Sequence, residues 1–146
     1  MPDVTFEADV ECVGTTCAIA KTRDFCFRVD EPEHLGGTDT GPNPVEYLLG
    51  AYAGCLNILA HMVADELGVK IEEMRIGIEG RLDPAGFMGM DPAVRSGFEE
   101  IAVTIDIRSD ADEDTLERMM ERINSRCPVG DNLKNPTPIT TRLNVL

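Results

Sequence analysis

Residues 43–57, NPVEYLLGAYAGCLN, decide how the chain folds. Asn43 is a good N-cap, and Pro44 suits the first helical position, where its missing N–H would have had no partner anyway. Glu46 falls at the third position, from which a carboxylate can fold back to the Asn43 amide and complete a capping box. The helix that starts here is expected to run to about Leu67 and to stop at Gly68, a residue free to take the left-handed conformation. At ~1.5 Å per residue that is a rod of roughly 35 Å. Its polar positions Asn57, His61 and Asp65 recur every four residues as one narrow stripe, while Leu48, Leu49, Tyr52, Leu56 and Leu59 cover much of the rest. A helix this apolar is expected to be buried on several sides. A small domain can hardly wrap it alone, so a partner subunit is expected. One thiol, Cys55, lies deep inside it.

Working outward, residues 3–13 roughly alternate polar and apolar and read as a half-buried strand. Residues 17–29 hold one or two more strands, with Ile19, Phe25 and Phe27 as inward positions. The segment DEPEHLGGTDTGPNP (30–44) is a loop, dense in Gly, Pro, Asp and Thr. Beyond the helix, 69–83 and 98–110 read as strands, joined by a long Gly/Pro/Met connection over 84–97. Residues 111–126 form an amphipathic helix with acids in its first turn and arginines in its last, as the helix dipole prefers. CPVGDNLKNP (127–136) is a tight turn or short helix, and 138–145 a final strand. The order β-β-β-α-β-β-α-β gives an α+β domain of antiparallel strands around a long buried central helix.

At 146 residues the chain fits one domain, 1–146. Its net charge of −14 excludes nucleic acid and anionic membranes as natural partners, since both require a basic footprint. The N-terminus is acidic and lacks the basic and apolar regions of a secretory leader. The apolar stretch 47–60 is expected to be too short and interrupted to span a bilayer. A cytoplasmic location follows. Five cysteines, an odd count without regular spacing, do not form a secreted disulfide framework. His34 and His61 stand at no recognisable metal spacing from a cysteine, so no metal is expected.

Cys12, Cys17 and Cys26 fall on expected strands and read as small hydrophobes. Cys55 has two open readings, core atom or reactive thiol. Cys127 precedes Pro128, which makes it an N-cap candidate, and backbone amides at such a position favour a thiolate. Arg126 adjoins it. Spacing alone does not show that residues 55 and 127 meet.

GGTDTGPNPVEYLLGAYAGC (36–55), followed some seventy residues later by CPVGDNLKNPTPI (127–139), resembles the OsmC/Ohr superfamily, the osmotically induced and organic hydroperoxide resistance proteins. The likeness covers nearly the whole chain, and TRDFCFRVDEPEHLGGTDTGP (22–42) is closer to the broad OsmC-like branch. The resemblance implies a single OsmC-like domain, an intertwined homodimer with two sites at the subunit interface, a peroxidatic cysteine at Cys55 and a resolving cysteine at Cys127. It also implies an arginine that stabilises the thiolate and the departing alkoxide, and a glutamate that orients this arginine. Neither metal nor other cofactor is implied; the small-molecule partners are an organic hydroperoxide and an external dithiol reductant.

The sequence departs from the family pattern at the glutamate. The position after the proline of the Asn-Pro motif is Val45, and the carboxylate comes one residue later, at Glu46, turned by about 100° on a helix. The capping box already accounts for Glu46. Arg23 is the better match for the arginine and Arg28 the alternate. The expected function is a thiol-dependent peroxidase that reduces organic hydroperoxides through a Cys55/Cys127 pair. The alternative, favoured by Val45, is an OsmC-like dimer that binds a small ligand or senses redox state without turnover. Phe87, Met88 and Met90 either line a pocket or pack over their own core. His61 belongs to the polar stripe, and the acids from Asp110 to Asp114 to a solvated helix start.

Overall fold

Three short strands open the chain: β1 (Asp9–Cys12), β2 (Ala18–Thr22) and β3 (Phe25–Val29), antiparallel and in the order β1-β2-β3. They belong to a computed structural model that describes residues 1–146 and divides into two compact units, Met1–Leu48 and Leu49–Leu146. The pairing Thr22↔Phe25 leaves Arg23 and Asp24 as a two-residue hairpin turn. Arg23 takes φ +51° there, at a turn position glycine usually fills, and its guanidinium stacks over the Phe25 ring at 5.0 Å.

The register sets the faces of this sheet. Val10, Ala20 and Phe27 stand opposite one another across the three strands, so they share a face. Only Ala20 is buried on it. Phe25 is 60% exposed and Phe27 38%, so the expected inward role of these two rings is corrected. The strand alternation was read correctly, but within this unit the Tyr47 ring, 5.1 Å from that of Phe27, is the aromatic cover for that face. Ile19 is half-buried on the opposite face.

The loop after β3 is organised by one carboxylate. Asp30 is fully buried and accepts from the hydroxyls of Thr16 (2.7 Å), Thr38 (2.6 Å) and Thr40 (2.8 Å), and from the amides of Glu31, Thr38 and Thr40. These bonds, the Thr38 and Thr16 hydroxyls foremost, hold it well below the usual carboxylate range despite its burial. Gly37 packs so closely on the Glu31 carbonyl that a Cβ would lie 1.7 Å from its oxygen, so no larger residue fits that turn.

The central helix α1 (Pro44–Leu67) has the expected caps. The Asn43 amide donates to Glu46 Oε2 (2.8 Å), and the Glu46 amide donates to Asn43 Oδ1 (2.9 Å). At the other end Gly68 takes φ +68°, its amide donates to the Asp65 carbonyl, and Val69 donates to that of Ala64. This pair of bonds is a Schellman motif, closing the last turn. By length and composition α1 is sufficient to cross a bilayer, which corrects the expectation of a stretch that falls short. Six of its residues, Tyr52, Leu56, Leu59, Ala60, Val63 and Ala64, instead lie buried in the protein.

In the C-terminal unit, β4 (Ile71–Arg81) and β5 (Glu100–Ser109) form a long antiparallel hairpin. Met74, Ile76 and Ile78 alternate with exposed polar residues and stand opposite Ile107, Ile105 and Val103, which makes one apolar face. The connection contains α2 (Pro84–Phe87), one turn capped by Asp83; Phe87, Met88 and Met90 are exposed and lie outside the core. Helix α3 (Glu113–Arg126) starts at Asp112, whose side chain accepts from the Thr115 amide, and α4 (Pro128–Lys134) follows directly. The core joins the buried α1 residues to Met119, Ile123 and Cys127, with the apolar face of β4 and β5 packed against it.

Two expectations need correction. The first strand is confined to Asp9–Cys12; Val4 and Phe6 are exposed. Residues 138–145 form no strand, and Ile139, Leu143 and Val145 are exposed. Alternating apolar residues become a strand only where a neighbouring strand takes their backbone bonds, and this single chain offers none to either segment. Within the single chain α1 leaves Ile58 (61%) and Met62 (49%) exposed, on the sides for which a partner subunit is expected.

Gly68 makes no side-chain contact that a methyl group would disturb. Gly68→Ala is therefore expected to cost only the left-handed backbone penalty, about 1–2 kcal/mol, read as a lowered Tm with unchanged helix content.

Candidate thiol site

Two sulfurs far apart in sequence meet in the C-terminal unit. Cys55 lies on α1, and Cys127 occupies the junction between α3 and α4, where Pro128 starts the new helix. The Cys127 thiol donates to Cys55 Sγ at 3.0 Å, across 72 residues of sequence. Both are free cysteines; Cys55 is half-buried and Cys127 is 2% exposed. Cys127 is the N-cap of α4, as its place before proline suggests, and its Sγ accepts from the Gly130 amide at 3.2 Å. A polarised chain thus runs from the Gly130 N–H through Cys127 to Cys55.

Packing holds the pair in this geometry. α1 carries Cys55 between the core residues Tyr52 and Leu56, while Ile123 and Met119 seat α3 against the same core. Gly130 brings α4 close: a Cβ there would lie 3.1 Å from Tyr52 Cε2 and 3.4 Å from Cys127 Sγ. Arg126, expected beside Cys127, turns its guanidinium to Glu66 on α1, with Nη1 2.8 Å from both carboxylate oxygens. That pair is solvent-exposed and worth no more than about 1 kcal/mol, but it ties the end of α3 to α1 one residue before the thiol.

Burial is the largest influence on Cys55 and pushes its thiol above the ordinary value of 9.0. The hydrogen bond shared with Cys127 adds to the rise, the Val129 amide opposes it, and charge repulsion from the second sulfur contributes least. No cation is among the groups acting on Cys55. The Tyr52 phenol is raised as well, by burial first and then by the two sulfurs.

The other candidate residues belong to the N-terminal unit. Arg23 is at the β2–β3 turn, stacked on Phe25. Arg28 Nη1 donates to the buried Cys17 Sγ at 2.9 Å. The Glu46 carboxylate is taken up by the capping box, and Val45 is half-buried. Cys12 and Cys26 are exposed, as is His61. No cluster of three or more His, Cys, Asp or Glu side chains is arranged to hold a metal. Sequence reasoning passed over Asp30 and assigned Tyr52 only to the apolar surface. The Thr-Asp-Thr run at 38–40 was a signal for the buried carboxylate, and the position of Tyr52 one helical turn before Cys55 placed it beside the sulfur.

An α+β scaffold that presses a helix-borne cysteine against a second cysteine at a helix cap defines a dithiol protein. The model for the OsmC-like protein family matches residues 37–142, and the chain belongs to that family. Its structure is similar to that of an OsmC-like protein from Mycoplasma pneumoniae, with a TM-score of 0.79, 20% identity, and coverage of 92% of this chain and 91% of that one. An organic hydroperoxide resistance protein OsmC from Legionella pneumophila aligns with a TM-score of 0.70 and 19% identity, covering 92% of each chain. An organic hydroperoxide resistance protein from Elizabethkingia anophelis gives 0.64 and 19%, covering 92% of this chain and 91% of its own. Identities this low establish the shared fold. No curated protein sequence matches.

The raised Cys55 thiol has a direct consequence. Alkylation of Cys55 by iodoacetamide, followed by mass spectrometry, should still be accelerating at pH 9, because thiolate forms only above the ordinary midpoint. In Cys127→Ala the midpoint should move down but stay elevated, since burial remains. A wild-type midpoint below the ordinary value would show a cation acting on the sulfur.

Proposed function

We propose that the protein is a thiol-dependent peroxidase for organic hydroperoxides, with Cys55 as nucleophile and Cys127 as resolving thiol. The observation that carries this reading is the 3.0 Å approach of two free sulfurs, one half-buried and reachable, the other buried behind it. The Cys55 thiolate attacks the terminal peroxide oxygen; the O–O bond breaks, and the alkoxide leaves and takes a proton to become the alcohol. Cys55 is then a sulfenic acid. Cys127 attacks its sulfur, an S–S bond forms, and the hydroxyl departs as water. An external dithiol restores both thiols by two exchanges and is itself oxidised to a disulfide. Because Cys127 is already in contact, the sulfenic acid is spared further oxidation.

The proposed working form is a cytoplasmic homodimer, in keeping with the exposed Ile58 and Met62 on α1 and with the unpaired apolar segments at both ends of the chain. Arg23 is the proposed thiolate-stabilising arginine, with Arg28 the alternate, already engaged with Cys17. A second reading, ligand binding or redox sensing without sustained turnover, is favoured by Val45 at the family's glutamate position and by the raised Cys55 thiol.

Steady-state consumption of an organic hydroperoxide with excess dithiol separates the two. The peroxidase reading expects Cys55→Ser to lose at least about a hundredfold in kcat/KM, the scale of deleting a nucleophile. Cys127→Ser should complete roughly one turnover and then accumulate sulfinic acid at Cys55. Wild-type protein no faster than Cys55→Ser would leave only the second reading.

A further inference from the structure

The alkoxide released when Cys55 takes the terminal peroxide oxygen is a strong base and needs a proton as the O–O bond breaks. No cation acts on Cys55, and the Arg126 guanidinium is committed to Glu66. Tyr52 brings an O–H to the two sulfurs. It precedes Cys55 by three residues on α1, a spacing that sets the two side chains about 5–6 Å apart at Cβ on one helix face. Its ring also reaches the second sulfur. A Cβ on Gly130 would lie 3.1 Å from Tyr52 Cε2, the atom next to the phenol carbon, and 3.4 Å from Cys127 Sγ. The hydroxyl end of the ring therefore borders the pair. Tyr52 is 8% exposed and its hydroxyl donates to no group of the protein, whereas that of Tyr47 donates to the Arg28 carbonyl at 2.6 Å.

We propose that the Tyr52 phenol is the proton donor to the departing alkoxide, an assignment that rests on the peroxidase reading. Burial first, then the charges of Cys127 and Cys55, raise the phenol, so it holds its proton at neutral pH and gives it up only to a strong base. The protons balance over the cycle. Cys55 loses its own to solvent on ionising. Its thiolate attacks the terminal oxygen, the O–O bond breaks, and the alkoxide takes the Tyr52 proton to become the alcohol. The phenolate then takes the Cys127 thiol proton, which frees that sulfur to attack the sulfenic acid. The S–S bond forms, and the departing hydroxide takes a proton from solvent as water.

The test compares two oxidants in wild type and in Tyr52→Phe, which keeps the ring that packs on Gly130. With tert-butyl hydroperoxide the leaving group is a basic alkoxide. With peracetic acid it is acetate, a weak base that departs without a proton. Tyr52→Phe should lose roughly a hundredfold in kcat/KM with tert-butyl hydroperoxide and less than about threefold with peracetic acid. Diamide should still join Cys55 to Cys127 in the variant. Equal losses with both oxidants, no loss with either, or failure of the variant to form the diamide link would overturn the inference and leave Tyr52 a packing residue. Wild type no faster than Cys55→Ser on both oxidants would instead retire the peroxidase reading, and this assignment with it.

Discussion

The contact between Cys55 Sγ and Cys127 Sγ is the constraint on which the site depends. It needs a helix whose face is fixed by packing and a second chain segment delivered to that face. The first need is met by the caps of α1 and its buried stripe, which set the rotation of Cys55. The second is met by α3, whose Met119 and Ile123 lock into the same core, and by the break at Pro128, which ends one helix and turns the Cys127 side chain into the cap of the next. Gly130 then lets α4 approach Tyr52 closely enough to keep both sulfurs in place.

The same packing sets the chemistry in opposition. Burial that brings the sulfurs together also disfavours the ionisation of Cys55. The Val129 amide recovers part of that loss without a full charge. An arginine is what the resemblance adds and what this thiol lacks among its influences. Where the resemblance implies a glutamate to orient such an arginine, this chain has Val45.

Local signals were legible in the sequence. The Asn43–Glu46 box, the stop at Gly68 and the alternation of β4 and β5 are each encoded within a few residues, and each forms as read. What failed depended on partners distant in the chain or outside it. Residues 138–145 have strand alternation but no neighbour to pair with, and Phe25 and Phe27 share an apolar face that their own unit leaves exposed. Asp30 escaped notice because polar loops carry no periodicity, and its threonine partners lie fourteen residues before it and eight and ten after it. The nearness of Cys55 to Cys127 could not come from spacing; the family resemblance suggested it, and the fold supplies the geometry.

The most direct measurement is a non-reducing peptide map of the protein after one equivalent of an organic hydroperoxide. The account predicts one cross-linked peptide joining residue 55 to residue 127 within a single chain, with Cys12, Cys17 and Cys26 still alkylatable. Recovery of Cys55 as sulfinic or sulfonic acid beside a free Cys127, or a link to any other cysteine, would contradict it.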